Sequence, residues 1–148
     1  MKVLDRKDKK RFLELLKRQF GFDGELDYAF FINNDNKIFI VNKEIAGIDL
    51  SKIRINSLGL YIAEMSDNEV RLSIEGSQLI GPLSNKNIVE LDEKEAREWL
   101  KGSDIEKEIK ETGFVILKSG KDYIGSGKAK QGRILNFVPK TRRLRVSD

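Results

Sequence analysis

The sequence predicts an α+β fold built from two small units. Its 148 residues are enough to bury a core without disulfide bonds. Helical periodicity is confined to the first twenty residues and to a stretch after residue 91, whereas apolar runs between turn residues fill much of the remainder. The polar segment 82–87 contains one of only two prolines and is the best boundary candidate. We therefore expect an α+β unit at residues 1–83 and a small β-barrel with one helix at residues 84–148.

The first unit is expected to open with a helix. Asp5 is a candidate N-cap, an apolar stripe predicts a helix to about Gln19, and Gly21 is a natural stop. Two hairpins are predicted after it, the first across a turn-rich tetrapeptide at residues 33–36 and the second across residues 66–68. In the second hairpin the alternation predicts five inward-facing side chains: Leu60, Ile62, Val70, Leu72 and Ile74.

The second unit is expected to contain one capped helix and several strands. Asp92 and Glu95 have the spacing of a capping box, and the helix that they begin is predicted to end at Gly102. Residues 106–112 are predicted to form a second short helix or a turn. From residue 114 onward, apolar segments alternate with glycine-containing turns, which is typical of strands. We interpret this unit as a small β-barrel.

Charge is segregated along the chain. The first 20 residues contain eight Lys/Arg against three Asp/Glu, residues 21–117 contain eleven against nineteen, and residues 118–148 contain nine against two. The ends therefore carry net charges of +5 and +7 around a middle of −8. This pattern favours a surface that faces a polyanion and another that is repelled by it. The alternative is that these charges are solvated faces that keep the protein soluble.

The composition is poor in catalytic groups. The chain has no cysteine and no histidine, which excludes disulfides, thiolate chemistry and the commonest neutral-pH acid–base group. The carboxylates between Glu90 and Glu98 fit helix capping and an exposed helix face better than an acid–base pair. We therefore expect no catalytic residue, no metal site and no cofactor, although a small hydrolase or transferase that uses carboxylates remains a third hypothesis.

Two local features have competing interpretations. The Gly-Ser-Gly-Lys sequence at residues 125–128 suggests a phosphate loop, but its glycine spacing is wrong and strands flank it, so a bend within a strand is favoured. Trp99 is the only tryptophan. Its helical spacing from Ala96 favours a core position over a base-stacking platform.

The last 31 residues carry the strongest local signal, because basic residues lie there among glycines, a proline and aromatic residues. Arginines in such clusters bind phosphates through two parallel hydrogen bonds. The basic residues of this segment are Lys118, Lys121, Lys128, Lys130, Arg133, Lys140, Arg142, Arg143 and Arg145.

Two stretches of this segment resemble the closing strands of a PUA domain, the RNA-binding module named for pseudouridine synthases and archaeosine transglycosylases. They are GFVILKSGKDYIGSGK at residues 113–128 and GRILNFVPKTRRL at residues 132–144. The strand, capped helix and glycine loop before them occupy the corresponding places, so the resemblance covers about residues 84–146. Residues 57–64 and 71–81 resemble the pre-PUA unit of archaeal ribosome-biogenesis PUA proteins. Similar two-part tails follow the catalytic domain in some RNA 5-methylcytosine methyltransferases.

The resemblance implies a pseudobarrel that holds structured RNA between its helix, its glycine loop and neighbouring strands. The positions that it points to are Lys101, Gly102 and Ser103 in the loop, Lys118 and Lys121 near a strand turn, and Lys140, Arg142 and Arg143 near the end. Lys128 and Arg145 join this candidate set as basic residues of the same segment. The methyltransferase chemistry does not carry over, since this chain lacks the cysteine nucleophile that the reaction needs.

The sequence therefore predicts a non-catalytic RNA-binding protein that acts on ribosomal or transfer RNA during modification or ribosome biogenesis. A modification enzyme or ribosome-assembly proteins are possible partners. The alternative is a protein–protein adaptor whose acidic middle recruits such a partner. No apolar run approaches the ~20 residues that span a bilayer, and no signal peptide is evident, so we expect a cytoplasmic protein without a membrane partner.

Overall fold

The computed structural model describes residues 1–46 and 59–145. Two five-stranded sheets have the orders β1-β2-β3-β4-β5 and β6-β8-β9-β10-β7. The strands are β1 Lys2–Val3, β2 Ala29–Ile32, β3 Lys37–Val41, β4 Leu60–Met65, β5 Val70–Leu72, β6 Ile88–Glu90, β7 Ile105–Glu106, β8 Gly113–Ser119, β9 Asp122–Lys130 and β10 Arg133–Leu135. The α-helices are α1 Arg6–Phe20, α2 Lys43–Ala46, α3 Ile74–Ile80 and α4 Glu93–Leu100, and short 3₁₀ helices occupy Gly81–Leu83 and Lys140–Arg142. The predicted α+β class is confirmed.

The opening helix has the predicted bounds. The Asp5 carboxylate accepts a hydrogen bond from the Asp8 amide at 2.7 Å, and the amide of Gly21 caps the other end by donating to the Leu16 and Lys17 carbonyls. Its apolar stripe packs on the first sheet, where Phe12 meets Phe30 edge to face with ring centres 6.1 Å apart. The helix is therefore fixed by its caps at both ends and by the burial of one face.

The first sheet is an antiparallel meander with one irregularity. The register between β3 and β4 shifts so that Ile38 faces Ala63 while Phe39 faces Tyr61, which leaves Ile62 as an extra residue. Ile62 and Ala63 are both fully buried, and Leu60 is 45% exposed. The expectation that Leu60 faces inward is therefore wrong, because the bulge interrupts the alternation on which it rested.

Ile74 also differs from its prediction. It begins helix α3 and does not lie on a strand. The Ser73 hydroxyl caps this helix by accepting a hydrogen bond from the Gly76 amide at 2.9 Å, while it donates to the Tyr61 carbonyl at 2.8 Å. Ser73 thus lies at the boundary between β5 and α3. The alternation of apolar residues does not show this boundary, because it continues from Leu72 to Ile74.

The second unit is organised around α4 and Trp99. The capping box between Asp92 and Glu95 is present in both directions. Trp99 is fully buried, which confirms its core position. Strand β9 runs through the Gly-Ser-Gly segment, and its register against β8 shifts at Ile124 and Gly125, so the predicted bend within a strand is also confirmed.

The helix or turn predicted for residues 106–112 does not form as a helix. Ile105 and Glu106 instead make strand β7, which pairs with Ile134 and Arg133 of β10. Ile105 is buried in the core of the second unit, so pairing with a distant strand determines the structure here, and a local sequence pattern does not report it.

The two sheets lie on either side of a tightly packed junction. Ile116 of β8 belongs to the core cluster of the first unit. Two ion pairs also join the units: Lys128 Nζ lies 3.7 Å from Glu69 Oε1, and Arg142 Nη1 lies 2.6 Å from Glu75 Oε1. The division between residues 83 and 84 stays a prediction. Within the described ranges, no helix is long and apolar enough to cross a membrane.

Candidate functional site

The loop after α4 is shaped by hydrogen bonds to the last turn of that helix. The Gly102 amide donates to the Trp99 carbonyl at 2.9 Å, and the Ser103 amide donates to the Glu98 carbonyl at 3.1 Å. Gly102 has a φ of 102°, a region that L side chains rarely adopt. The chain can therefore turn sharply at this point only with a residue that tolerates such a φ.

The C-terminal segment crosses directly over this loop. A Cβ atom placed on Gly102 would lie 2.5 Å from Nε and 2.6 Å from Cδ of Arg143. Arg143 Nε donates to the Val138 carbonyl at 3.0 Å, and the Leu144 amide donates to the Leu100 carbonyl at 2.8 Å. The guanidinium of Arg143 thus occupies the space that a side chain at Gly102 would need.

Asn136 joins the loop to the last strand and was missed by sequence reasoning. Its Nδ2 donates to the carbonyls of Trp99 and Ser103, each at 2.8 Å, and its Oδ1 accepts from the Val138 amide at 2.7 Å. Its own amide donates to the Asp104 carboxylate at 2.8 Å. The only sequence signal is a polar residue within the apolar run 134–138. Asn136 therefore holds the glycine loop and the C-terminal segment in one arrangement.

Apart from Arg145, six of the ten predicted residues lie at the contact between Gly102 and Arg143 or within three residues of it in the chain. Lys101 caps the end of α4, Gly102 and Ser103 form the loop, and Lys140 and Arg142 lie on the short 3₁₀ helix just before Arg143. We call this group the loop cluster: Lys101, Gly102, Ser103, Lys140, Arg142 and Arg143. Arg145 follows it closely in the chain and is exposed. The cluster combines exposed cations with a loop whose backbone is held at a defined geometry.

The other three predicted residues lie elsewhere. Lys118 faces Glu90 across the parallel pair β6–β8, and Lys121 lies in the turn between β8 and β9. Because β6 leads into the start of α4, this turn is at the opposite end of the helix from Gly102. Lys128 lies over the Phe114 ring at 5.0 Å and pairs with Glu69 of the first unit. The predicted site is therefore divided among three places on the second unit.

Several of the cations are already engaged in ion pairs. Lys101 Nζ lies 4.0 Å from Glu98 Oε1, Lys118 Nζ lies 3.9 Å from Glu90 Oε1, and Arg142 is paired with Glu75. Lys140 makes no ion pair with any residue that the structure describes, and its side chain is exposed. Surface ion pairs contribute only about 0–1 kcal/mol, so a polyanion competes for these cations at little cost.

Comparison with known proteins identifies the class of the second unit. Residues 86–144 match the family model described as the methyltransferase RsmF PUA domain. The match spans α4, the glycine loop and the segment that crosses it. The second unit is therefore a PUA domain, and its predicted resemblance to that domain is confirmed.

Curated relatives extend the match beyond this domain. The chain is 30% identical over 107 residues to ribosomal RNA small subunit methyltransferase F of Vibrio cholerae, which covers 72% of this chain and 22% of the relative. The proteins of the same name from Vibrio vulnificus and Aeromonas salmonicida are 27% and 31% identical over 106 and 90 residues, covering 72% and 60% of this chain and 22% and 19% of the relatives. The chain thus belongs with PUA-domain proteins related to the tails of RNA methyltransferases.

The extent of the match has two consequences. Because 65 residues run from position 84 to 148, at least 42 of the 107 aligned residues lie in the first unit, so the relationship is not confined to the PUA domain. The chain spans about a fifth of the length of these relatives.

In the described ranges, no group of three or more acidic residues is arranged to hold a metal ion.

Proposed function

We propose that this chain is a non-catalytic RNA-binding protein that grips structured ribosomal or transfer RNA through the loop cluster during RNA modification. One observation supports the proposal: within the matched PUA domain, the glycine loop lies against the Arg143 side chain, and the exposed Lys140 precedes Arg143 by one 3₁₀ turn. Lysine and arginine contacts to phosphate supply affinity, and a rigid loop supplies discrimination by shape.

The geometry supports recognition of a folded RNA. The loop cluster sits at the end of a helix whose position is fixed by the buried Trp99 and by the Asn136 hydrogen bonds. A rigid platform loses little conformational entropy on binding, which favours affinity. RNA with a defined helical shape is read largely through its phosphates and 2′-hydroxyls.

The proposed absence of catalysis rests on the chemistry of the chain. It contains no cysteine and no histidine, and Glu95 is committed to the capping box and to Lys107, at 3.1 Å from Oε1 to Nζ. The relatives are named as methyltransferases, but the chain matches only about a fifth of their length. In this proposal the chemical step is performed by another protein or domain, and an RNA-modification enzyme or ribosome-assembly proteins are the partners.

The experiment is a titration of folded tRNA and of a ribosomal RNA stem-loop at several salt concentrations, followed by fluorescence anisotropy. We expect binding whose logarithm falls linearly with the logarithm of salt concentration. Lys140→Ala should weaken binding of both RNAs and reduce the salt slope by about 1. The matched control is Lys110→Ala, another exposed lysine, at the opposite end of β7 from the loop.

Two results would contradict the proposal. The absence of binding at low salt would remove RNA as the ligand and leave the adaptor hypothesis, which a pull-down with ribosomal proteins then tests. Equal losses for Lys140→Ala and Lys110→Ala would show diffuse attraction without a site at the loop cluster.

A further inference from the structure

A groove follows the seam between the two units, on the side where the C-terminal segment leaves the last strand. It consists of two depressions of about 150 and 240 Å³ that share Arg71 as a common wall. The first is bordered by Phe137, Val138, Pro139 and Arg142, so it is continuous with the loop cluster. We call these two depressions the seam groove.

Aromatic rings and cations alternate along the seam groove. The Arg71 guanidinium carbon lies 4.7 Å from the centre of the Phe137 ring, which is 36% exposed. The Phe114 ring is tilted against Phe137 with centres 5.9 Å apart, and Lys128 Nζ lies 5.0 Å from the Phe114 ring centre. A cation over a ring in this way offers both a positive charge and a flat apolar face.

The first unit supplies the opposite wall. Lys37 Nζ lies 5.5 Å from the centre of the Tyr61 ring, which borders the same depression as Phe137. Burial raises the pKa of Tyr61, although the positive charge of Arg71 partly offsets this increase. The phenol therefore keeps its proton and can donate a hydrogen bond. The wall therefore adds a third ring, a third cation and a hydrogen-bond donor.

One polar group of the seam groove is not satisfied by the protein. Ser126 lines the first depression and is only 4% exposed, and its hydroxyl has no hydrogen-bond partner among the residues that the structure describes. Buried hydroxyls are normally paired, because leaving one unpaired costs about 1–3 kcal/mol. A ligand that carries donors and acceptors would satisfy it.

These features narrow the class of ligand. Each depression is smaller than the about 300–1,000 Å³ of a typical small-molecule site. Rings interleaved with lysine and arginine are the means by which proteins bind single-stranded nucleic acid, since every base has a flat face and every phosphate a negative charge. A purely apolar partner would offer no counter-charge to Lys37, which makes no ion pair with any described residue, and none to Arg71 and Lys128 beyond Glu64 and Glu69.

We propose that the seam groove binds one or two unpaired nucleotides that extend from the RNA helix held by the loop cluster, an inference that rests on the proposed function. Their bases lie against Phe137 and Phe114, and their phosphates contact Lys37, Arg71 and Lys128. The continuity through Arg142 lets one RNA occupy both places. The first unit thereby takes a direct part in RNA recognition.

The test compares two RNAs: a blunt stem-loop and the same stem-loop with a short unpaired extension that contains 2-aminopurine. The wild-type chain should bind the extended RNA more tightly and quench the 2-aminopurine on stacking. Phe137→Leu keeps an apolar side chain but removes the ring, so it should weaken binding of the extended RNA by about 5- to 100-fold and leave the blunt RNA unchanged. Phe137→Tyr should restore both the preference and the quenching.

Matched controls separate the effect of the Phe137 ring on RNA binding from the effect of overall positive charge. Arg71→Ala should reduce the preference for the extended RNA, whereas Arg133→Ala, which breaks another Arg–Glu pair and lines neither depression, should not. Trp99 fluorescence checks that each variant is folded. Equal binding of the two RNAs without quenching, while both still show a salt slope, would overturn the seam groove and leave the proposed function standing. No binding of either RNA at low salt would overturn both.

Discussion

Gly102 has no side chain, and the space beside it is filled by the guanidinium of Arg143. The φ of 102° and this close contact make two separate demands for glycine at the same position. A substitution at Gly102 should therefore lower stability through the strained φ, and should displace the Arg143 side chain through the close contact. These two effects can be separated by experiment. The guanidinium end of the Arg143 side chain is flexible and can move aside, whereas the backbone at residue 102 cannot.

Gly102→Ala should lower the free energy of unfolding by about 1–3 kcal/mol because of backbone strain, and should weaken RNA binding because Arg143 is displaced. In an Arg143→Ala background, the stability cost should remain while the effect of Gly102→Ala on RNA affinity disappears. Urea denaturation and RNA titration of the four proteins measure this. The same loss of affinity in both backgrounds would show that Arg143 does not mediate the effect.

Asn136 should contribute much more to the free energy of unfolding than a solvent-exposed polar residue does. Asn136→Ala removes three side-chain hydrogen bonds and takes from the Ser103 carbonyl and the Val138 amide their Asn136 partner, while the Trp99 carbonyl keeps only the Gly102 amide, so the free energy of unfolding should fall by about 2–4 kcal/mol. Gln78→Ala, at an exposed position of α3, is the control and should change it by less than about 0.5 kcal/mol. Urea denaturation measures both, and similar values for the two variants would contradict the role given to Asn136.

Strand β9 packs closely against Trp99 of α4 and Ile134 of β10 at Gly127. A Cβ atom on Gly127 would lie 2.6 Å from Trp99 Cη2 and 2.6 Å from Ile134 Cγ2, so the strand passes close beneath the indole only because this position is glycine. The sequence predicted a bend at this glycine pair, but not that the indole rests on it. The contact joins β9 to α4, and through α4 to the loop cluster.

Gly127→Ala should therefore lower the free energy of unfolding by about 1–3 kcal/mol through overpacking, and should shift the emission of Trp99, the only tryptophan. Gly120→Ala in the turn between β8 and β9 is the matched control, since a Cβ atom there meets nothing within 4 Å. Its cost should come from backbone strain alone, without a change in Trp99 emission. An unchanged Trp99 spectrum in Gly127→Ala would contradict the close contact.

Elements with strong local signals could be predicted, and those made by distant partners could not. Asp5, Gly21 and the Asp92–Glu95 pair mark helix ends within a few residues, so α1 and α4 were predicted with accurate limits. Strand β7 exists because Ile105 pairs with Ile134, and the inward position of Leu60 fails because of a bulge opposite β3. The approach of Arg143 to Gly102 and the seam groove depend on long-range packing, which no local pattern reports.

A shared hydrophobic cluster joins the two predicted units. Ile116 of the second unit is fully buried in the cluster that contains Phe12 and Ile62, and the ion pairs Lys128–Glu69 and Arg142–Glu75 bridge the same junction. The cations of the C-terminal segment thus neutralise part of the acidic middle. Charge segregation in the sequence indicated a polyanion-binding surface, but it also reflects pairing between the two units.

A shared core predicts a single cooperative unfolding transition. Trp99 fluorescence reports the second unit and far-ultraviolet circular dichroism reports both, and the two should coincide in urea. Ile116→Ala should lower the free energy of unfolding by about 2–5 kcal/mol and keep the transitions coincident. Two separate transitions in the wild-type chain would show that the units unfold independently.

The central claim is that folded RNA meets the loop cluster, and amide chemical-shift mapping of the full chain tests it most directly. On addition of a folded RNA stem-loop, we predict that the largest shifts fall at residues 101–103 and 140–145. The amides of α1, whose exposed face is also basic, should change much less. Shifts concentrated on α1, with residues 101–103 unmoved, would contradict the account and place the RNA on the first unit.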